Sequence, residues 1–122
     1  MSTPPPPSIH ADLPMEELAP PAFAGQWKNP VNDEKLRIRK IGRLVYFTGM
    51  LVCGSTVSMN VFTSPLPEGW RPSGSQWFNL ASQKGNCLFA IWPNGELQCI
   101  YGQDNAKSAW VPVNGIYYFA EN

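Results

Sequence analysis

The sequence predicts an all-β fold, an antiparallel sandwich or barrel over residues 26–122, behind an extended proline-rich N-terminal arm over residues 1–25. Three observations carry this. From Trp27 onward, short apolar runs are separated by turn signals every eight to twelve residues, and none sustains a helical period. LRIRKI alternates, with Leu36 and Ile38 on one face and Arg37 and Arg39 on the other, as a half-buried strand does. Two Asn-Gly pairs, at 94–95 and 114–115, follow apolar runs.

The elements follow in order. Residues 1–25 hold seven of the thirteen prolines and show neither period, so they favour extended polyproline conformations and cannot build a core. They read as an arm or linker, the alternative being that MEEL forms one helical turn capped by its neighbouring prolines. Gly42 and Arg43 offer a tight reversal from LRIRKI into LVYFTGMLV, and TVSMNVFT follows Gly54 and Ser55. Gly49 is read as a bulge or a close backbone approach.

In NCLFAIWPNGELQCIYG a two-residue type I′ turn at Asn94-Gly95 would set Trp92 opposite Leu97, Ile91 opposite Gln98, Ala90 opposite Cys99, Phe89 opposite Ile100 and Leu88 opposite Tyr101. That register puts Cys87 and Cys99 on opposite faces, so no disulfide is expected between them. Both faces remain largely apolar, which calls for a cover on each, one of them another copy of the chain. WVPVNGIYYFA repeats the pattern, and its last strand is expected to be paired on both sides or sealed in an interface.

Composition narrows the function. The chain is 43% hydrophobic and only 15% charged, against roughly 25% charged in an average domain. Nine basic residues balance nine acidic ones, so no net field draws nucleic acid or an anionic membrane. The alternation of KLRIRKIGR with apolar residues makes it the wet side of a strand. A surface so poor in charge favours association with identical copies. No stretch approaches the ~20 apolar residues of a membrane span, and MSTPPPPSIH does not read as an export signal.

Chemistry finds little support. Three cysteines without CxxC spacing and a single histidine, His10, give neither a disulfide framework nor a zinc site, and they suit a reducing cytosol. No nucleophile has a nearby base, no glycine-rich loop precedes a helix, and the scattered acids select no pair. The expectation is a protein without catalytic residues, cofactor or metal. The five tryptophans suit a binding module. Trp27, Trp77 and Trp110 read as core. Trp70 and Trp92 stand next to turns and read as contacts.

The stretch SPLPEGWRPS holds Pro65, Pro67 and Pro72, which fix φ and remove donors, so it reads as a rigid crossover presenting Trp70 and Arg71. LPEGWRPS, between VFT and QWFNLA, resembles the LP-x-G-aromatic-R-P loop of receptor-binding head domains on tail fibres and baseplates of tailed bacteriophages. RIRKIGRLVYFTGML, IWPNGELQ and WVPVNGIYYF are similar to further segments of those heads, in the same order, over Trp27 to Asn122. The resemblance implies an antiparallel β-sandwich, a jelly-roll-like head domain over residues 26–122, which forms a homotrimer and binds saccharide on the host cell surface. It implies a place at the virion tail tip or fibre, assembled in the host cytoplasm and attached to other tail or baseplate proteins through the N-terminal arm. No shaft sequence, collagen-like or coiled-coil, is present. The candidate ligand contacts are Trp70, Arg71, Trp92, Asp104 and Asn105. The competing reading is a structural adaptor or decoration protein of the virion without a ligand, and a third is a polysaccharide-cleaving tail protein.

Overall fold

A computed structural model describes residues 14–121. Strands account for 44% of the described residues and helix for 4%, in three antiparallel sheets packed together as an all-β sandwich. In chain order the elements are β1 (Met15–Leu18), β2 (Trp27–Lys28), β3 (Arg37–Ile41), β4 (Leu44–Thr48), β5 (Met50–Cys53), β6 (Gln76–Ala81), β7 (Asn86–Ile91), β8 (Leu97–Tyr101), α1 (Gln103–Ala106), β9 (Trp110–Pro112) and β10 (Tyr117–Phe119). The sheets run β1-β3-β4-β10, β2-β5-β9 and β6-β7-β8.

The alternation read in LRIRKI holds: Leu36 and Ile38 are buried, and Arg37 and Arg39 face out. Ile41 pairs with Leu44 across Gly42 and Arg43. Gly42 alone takes a positive φ, 60°, as the first central residue of a type II′ turn does.

Part of the stretch read as arm belongs to the sheet. Met15–Leu18 is a strand and not a helical turn, paired antiparallel with β3 so that Glu17 lies opposite Arg39 and Glu16 opposite Lys40. Glu17 accepts from Arg37 at 2.7 Å and from Arg39 at 3.3 Å, and this charge match is what recruits MEEL to the edge of β3. The run PPPP and His10 lie outside the described residues. The hydrogen bond from Arg37 holds the Glu17 carboxyl below its ordinary value of 4.5. A lowered carboxyl contributes stability above that value and loses it as pH falls through the folded one. Acid titration of β1 docking, followed by amide exchange, should therefore show a step below pH 4.5 that Glu17→Gln abolishes. An unchanged step in the variant would put the acid sensitivity elsewhere.

β4 and β5 are one strand bent at Gly49, where φ is 91°. The bend carries the chain from the first sheet into the second, and the return path bends beside it. Gly49 N–H donates to Asn114 Oδ1 at 3.1 Å, and Val113 N–H donates to Gly49 O at 3.0 Å. β9 therefore pairs with β5 and β10 with β4. The second Asn-Gly pair turns a sandwich corner and does not close a hairpin, because its partner strand is already folded over at Gly49.

The hairpin between β7 and β8 slips by one residue from the expected register. Gly95 N–H donates to Trp92 O at 2.8 Å, Trp92 N–H donates to Glu96 O at 3.0 Å, and only Gly95 has a positive φ. This is a three-residue loop, Pro93-Asn94-Gly95, and not a type I′ turn. Pro93 fixes φ where a type I turn wants proline, and Gly95 supplies the left-handed residue that follows it. Ile91 now pairs with Leu97 and Phe89 with Cys99, until a bulge at Ile100 restores the expected pairing of Leu88 with Tyr101. The slip brings Cys87 and Cys99 to the same buried face, yet both are free thiols, as is Cys53.

The core lies between the inner faces, where Ile38, Phe47, Leu51, Phe89, Ile91 and Leu97 are fully or almost fully buried. Each such side chain contributes about 1.5–3 kcal/mol of burial. Trp27 meets Phe89 edge to face at 5.9 Å and ties the second sheet to the third. β10 lies at a sheet edge, with Tyr118 buried and Tyr117 and Phe119 exposed. Of the two outcomes expected for it, pairing on both sides is not found: beyond the ladder with β4 there is a single bridge from Ala120 to Pro72, past the strand's end. No helix among the described residues is long and apolar enough to cross a membrane.

Candidate functional site

The proline loop folds inward. Leu66 is wholly buried, its N–H donates to Gly95 O at 2.9 Å, and Trp70 N–H donates to Pro67 O at 3.1 Å to close a turn. Trp70 is only 8% exposed, and Tyr118 Oη donates to its carbonyl at 2.6 Å. Lys40 Nζ stands 4.7 Å from the Trp70 ring centroid and donates to Gly69 O at 2.7 Å. Arg71 Nε donates to Leu66 O at 2.7 Å. Trp70 and Arg71 thus clamp the loop onto the β7–β8 hairpin tip and onto β10, and Trp70 has no free face for a ligand ring. The alternation of β3 points Lys40 inward, which is why the rigid loop closes over a cation instead of presenting an aromatic.

Trp92 is half-buried. It meets Trp77 edge to face at 5.3 Å, and its Nε1–H donates to Gln98 Oε1 at 2.7 Å, so its polar end is already satisfied. Asp104 and Asn105 lie in the single turn of α1. Asn105 Nδ2 donates to Asn86 O at 2.9 Å and Ser82 Oγ donates to Asn105 O at 2.6 Å, while Asp104 is exposed. Both line a shallow cleft of about 510 Å³ around Tyr101, which is 67% exposed. Trp70, Arg71 and Trp92 do not line this cleft.

A second, more apolar hollow lies on the outer face of the second sheet. Trp27, Leu51, Cys53 and Val111 point into the core, so the alternation sends Lys28, Val52 and Trp110 outward, in one row across β2, β5 and β9. With Met50 and the loop Asn29–Asn32 they enclose a groove of about 440 Å³, within the ~300–1,000 Å³ range of ligand pockets. Trp110 is 46% exposed and Trp77 48%, so neither is the core residue expected; Trp27 is, and Trp70 joins it. The signal for Trp110 was present in WVPV, where two inward valines force the tryptophan out.

The rim is held by its own backbone. Asn29 Oδ1 accepts from Leu36 N–H at 3.0 Å and Asn32 Oδ1 from Glu34 N–H at 2.9 Å. No carboxylate lines the groove. Asp33 and Glu34 border a separate hollow of about 560 Å³ with Lys35, Arg37 and Arg39.

No three His, Cys, Asp or Glu side chains among the described residues come together as a metal site. Burial raises the thiol of Cys53 and that of Cys87, and pushes Cys99 up to about 12. All three thiols are therefore protonated and poor nucleophiles at neutral pH. Ellman's reagent should find no fast-reacting thiol in the native protein and three after denaturation. A thiol titrating promptly in the native state would contradict this burial.

No protein-family model matches the chain, and the curated proteins contain no sequence similar to it.

Proposed function

We propose that the chain is a non-catalytic adhesion module, the head of a tail fibre or baseplate protein of a tailed bacteriophage, which binds saccharide on the host cell surface as a homotrimer. The observation that carries the binding part is Trp110, half-exposed beside an apolar groove on a rigid all-β face. A flat indole against the apolar face of a pyranose, with amides at the rim for its hydroxyls, is the usual physics of sugar recognition. The phage assignment rests on the LPEGWRPS loop and the segments that follow it. The module acts on the virion, with no nucleic acid and no membrane insertion, and the part of the N-terminal arm ahead of β1 joins it to neighbouring tail proteins.

Labelled protein, incubated with polysaccharide fractions from a panel of bacterial envelopes, should bind at least one saturably. Trp110→Ala should remove that binding while leaving the oligomer intact. Absence of binding to every fraction would overturn the proposal, and release of reducing ends would replace adhesion by cleavage.

A structural virion protein is the second reading, and one observation favours it. Across the outer face of the first sheet Met15, Ile41, Leu44 and Phe119 form one row, with Phe119 66% exposed at its end and Tyr117 beside it. Such a row is suited to burial against another copy. Both readings place self-association here, and Phe119→Glu should shift the sedimenting species to monomer.

A further inference from the structure

We propose that the Trp110 groove selects an acidic saccharide, with a carboxylate-bearing pyranose stacked on Trp110 and its carboxylate held by Lys28; this rests on the saccharide-binding reading above. The argument is one of polar inventory. Among the residues lining the groove, the charged one is Lys28, and it has no carboxylate partner among the described residues. Asn29 and Asn32 have committed their carbonyl oxygens to the backbone N–H groups of Leu36 and Glu34. What these two side chains still offer is chiefly their amide N–H groups, two on each, with one lone pair left on each oxygen. Donors therefore outnumber acceptors among the side-chain polar groups of the groove, which suits a ligand rich in acceptors better than a cation.

The charge count chooses the acid. A single lysine is a point charge with three donors, suited to one carboxylate. A dianionic phosphate is more often held by several cations or a bidentate arginine. The arginines nearest in sequence do not serve here, since Arg37 and Arg39 are engaged with Glu17 on a different sheet. Met50 and Val52 supply an apolar floor beside Trp110 for the less polar face of the ring.

The test is calorimetric titration of the whole chain with hexuronate oligosaccharides (galacturonate, glucuronate and mannuronate), each alongside its methyl ester. At least one free acid should bind, about tenfold or more tightly than its ester, as expected for one hydrogen bond to a charged group. Lys28→Gln should lower affinity for the acid to that for the ester and leave the ester unchanged. Lys28 is exposed, so this variant keeps the fold, which circular dichroism would verify. Equal binding of acid and ester, or an unaltered affinity in Lys28→Gln, overturns the acidic preference while leaving saccharide binding in place. Failure of the acids where neutral envelope polysaccharide binds overturns it in the same way. Failure of every saccharide overturns both.

Discussion

Gly49→Ala should lower the melting temperature by about 15 °C or more, or prevent folding altogether. The residue sits at φ 91°, a conformation that costs an L-residue about 1–3 kcal/mol. A Cβ there would lie 2.1 Å from Lys35 O and 3.0 Å from Glu34 O, both backbone atoms that cannot swing aside. Relieving the overlap means moving the corner, and overpacking of this kind costs about 1–3 kcal/mol more. The corner cannot move cheaply, because Gly49 donates to Asn114 and accepts from Val113 while Met50 N–H donates to Glu34 O at 3.1 Å. The sum, about 2–6 kcal/mol, is a large part of the ~5–15 kcal/mol that holds a domain together. Gly74→Ala is the control, since nothing lies within 4 Å of its added Cβ. Thermal unfolding of both variants reads the difference, and equal melting temperatures would refute the description of the corner.

Lys40→Met should destabilise by about 2–3 kcal/mol, the larger part of it in the proline loop. The side chain is almost buried, with its ammonium over Trp70 and bonded to Gly69 O. Methionine keeps much of the volume and removes both interactions. A carbonyl left without its donor costs about 1–3 kcal/mol, and a desolvated cation–π contact contributes about 2 kcal/mol. Release of the lysine from its own desolvation offsets part of this. Glu16 at 4.0 Å is well exposed and adds little. Urea unfolding gives the total, and amide exchange should show residues 66–71 losing protection first. Undiminished stability would mean that Arg71 and Tyr118 hold the loop unaided.

These two residues also show what the sequence could and could not reveal. Gly49 was legible as a place of close backbone approach, because a glycine amid LVYFT and MLVC has no other reason to be there. Its role in switching sheets was not, since that depends on Asn114, sixty-five positions away. Lys40 read as part of a wet strand face, although the alternation that buries Ile38 also carries position 40 inward. Its partner Trp70 lies on a loop whose direction no local rule sets, so Trp70 was expected outside and is found in the core.

The candidate site shows the same division. Asp104 and Asn105 were recognisable as a polar surface segment and do line a cleft, but the exposed Tyr101 at its centre was taken only as a strand residue. Trp110 was assigned to the core on residue type, although Val111 and Val113 already implied the opposite direction. The register of the β7–β8 hairpin went wrong by one residue because Asn-Gly was weighed without Pro93 before it. The alternation from Leu36 to Arg39 was sound because it needed only local pattern; the groove needed three strands from distant parts of the chain.

The most direct test of the binding account is a two-dimensional NMR titration of the indole N–H signals. The five tryptophans give five signals, assigned by single substitution. On addition of the bound envelope saccharide the Trp110 signal should shift saturably, while those of Trp27 and Trp70, enclosed in the core, stay in place. A saturable shift confined to other indoles, with Trp110 unmoved, would contradict it.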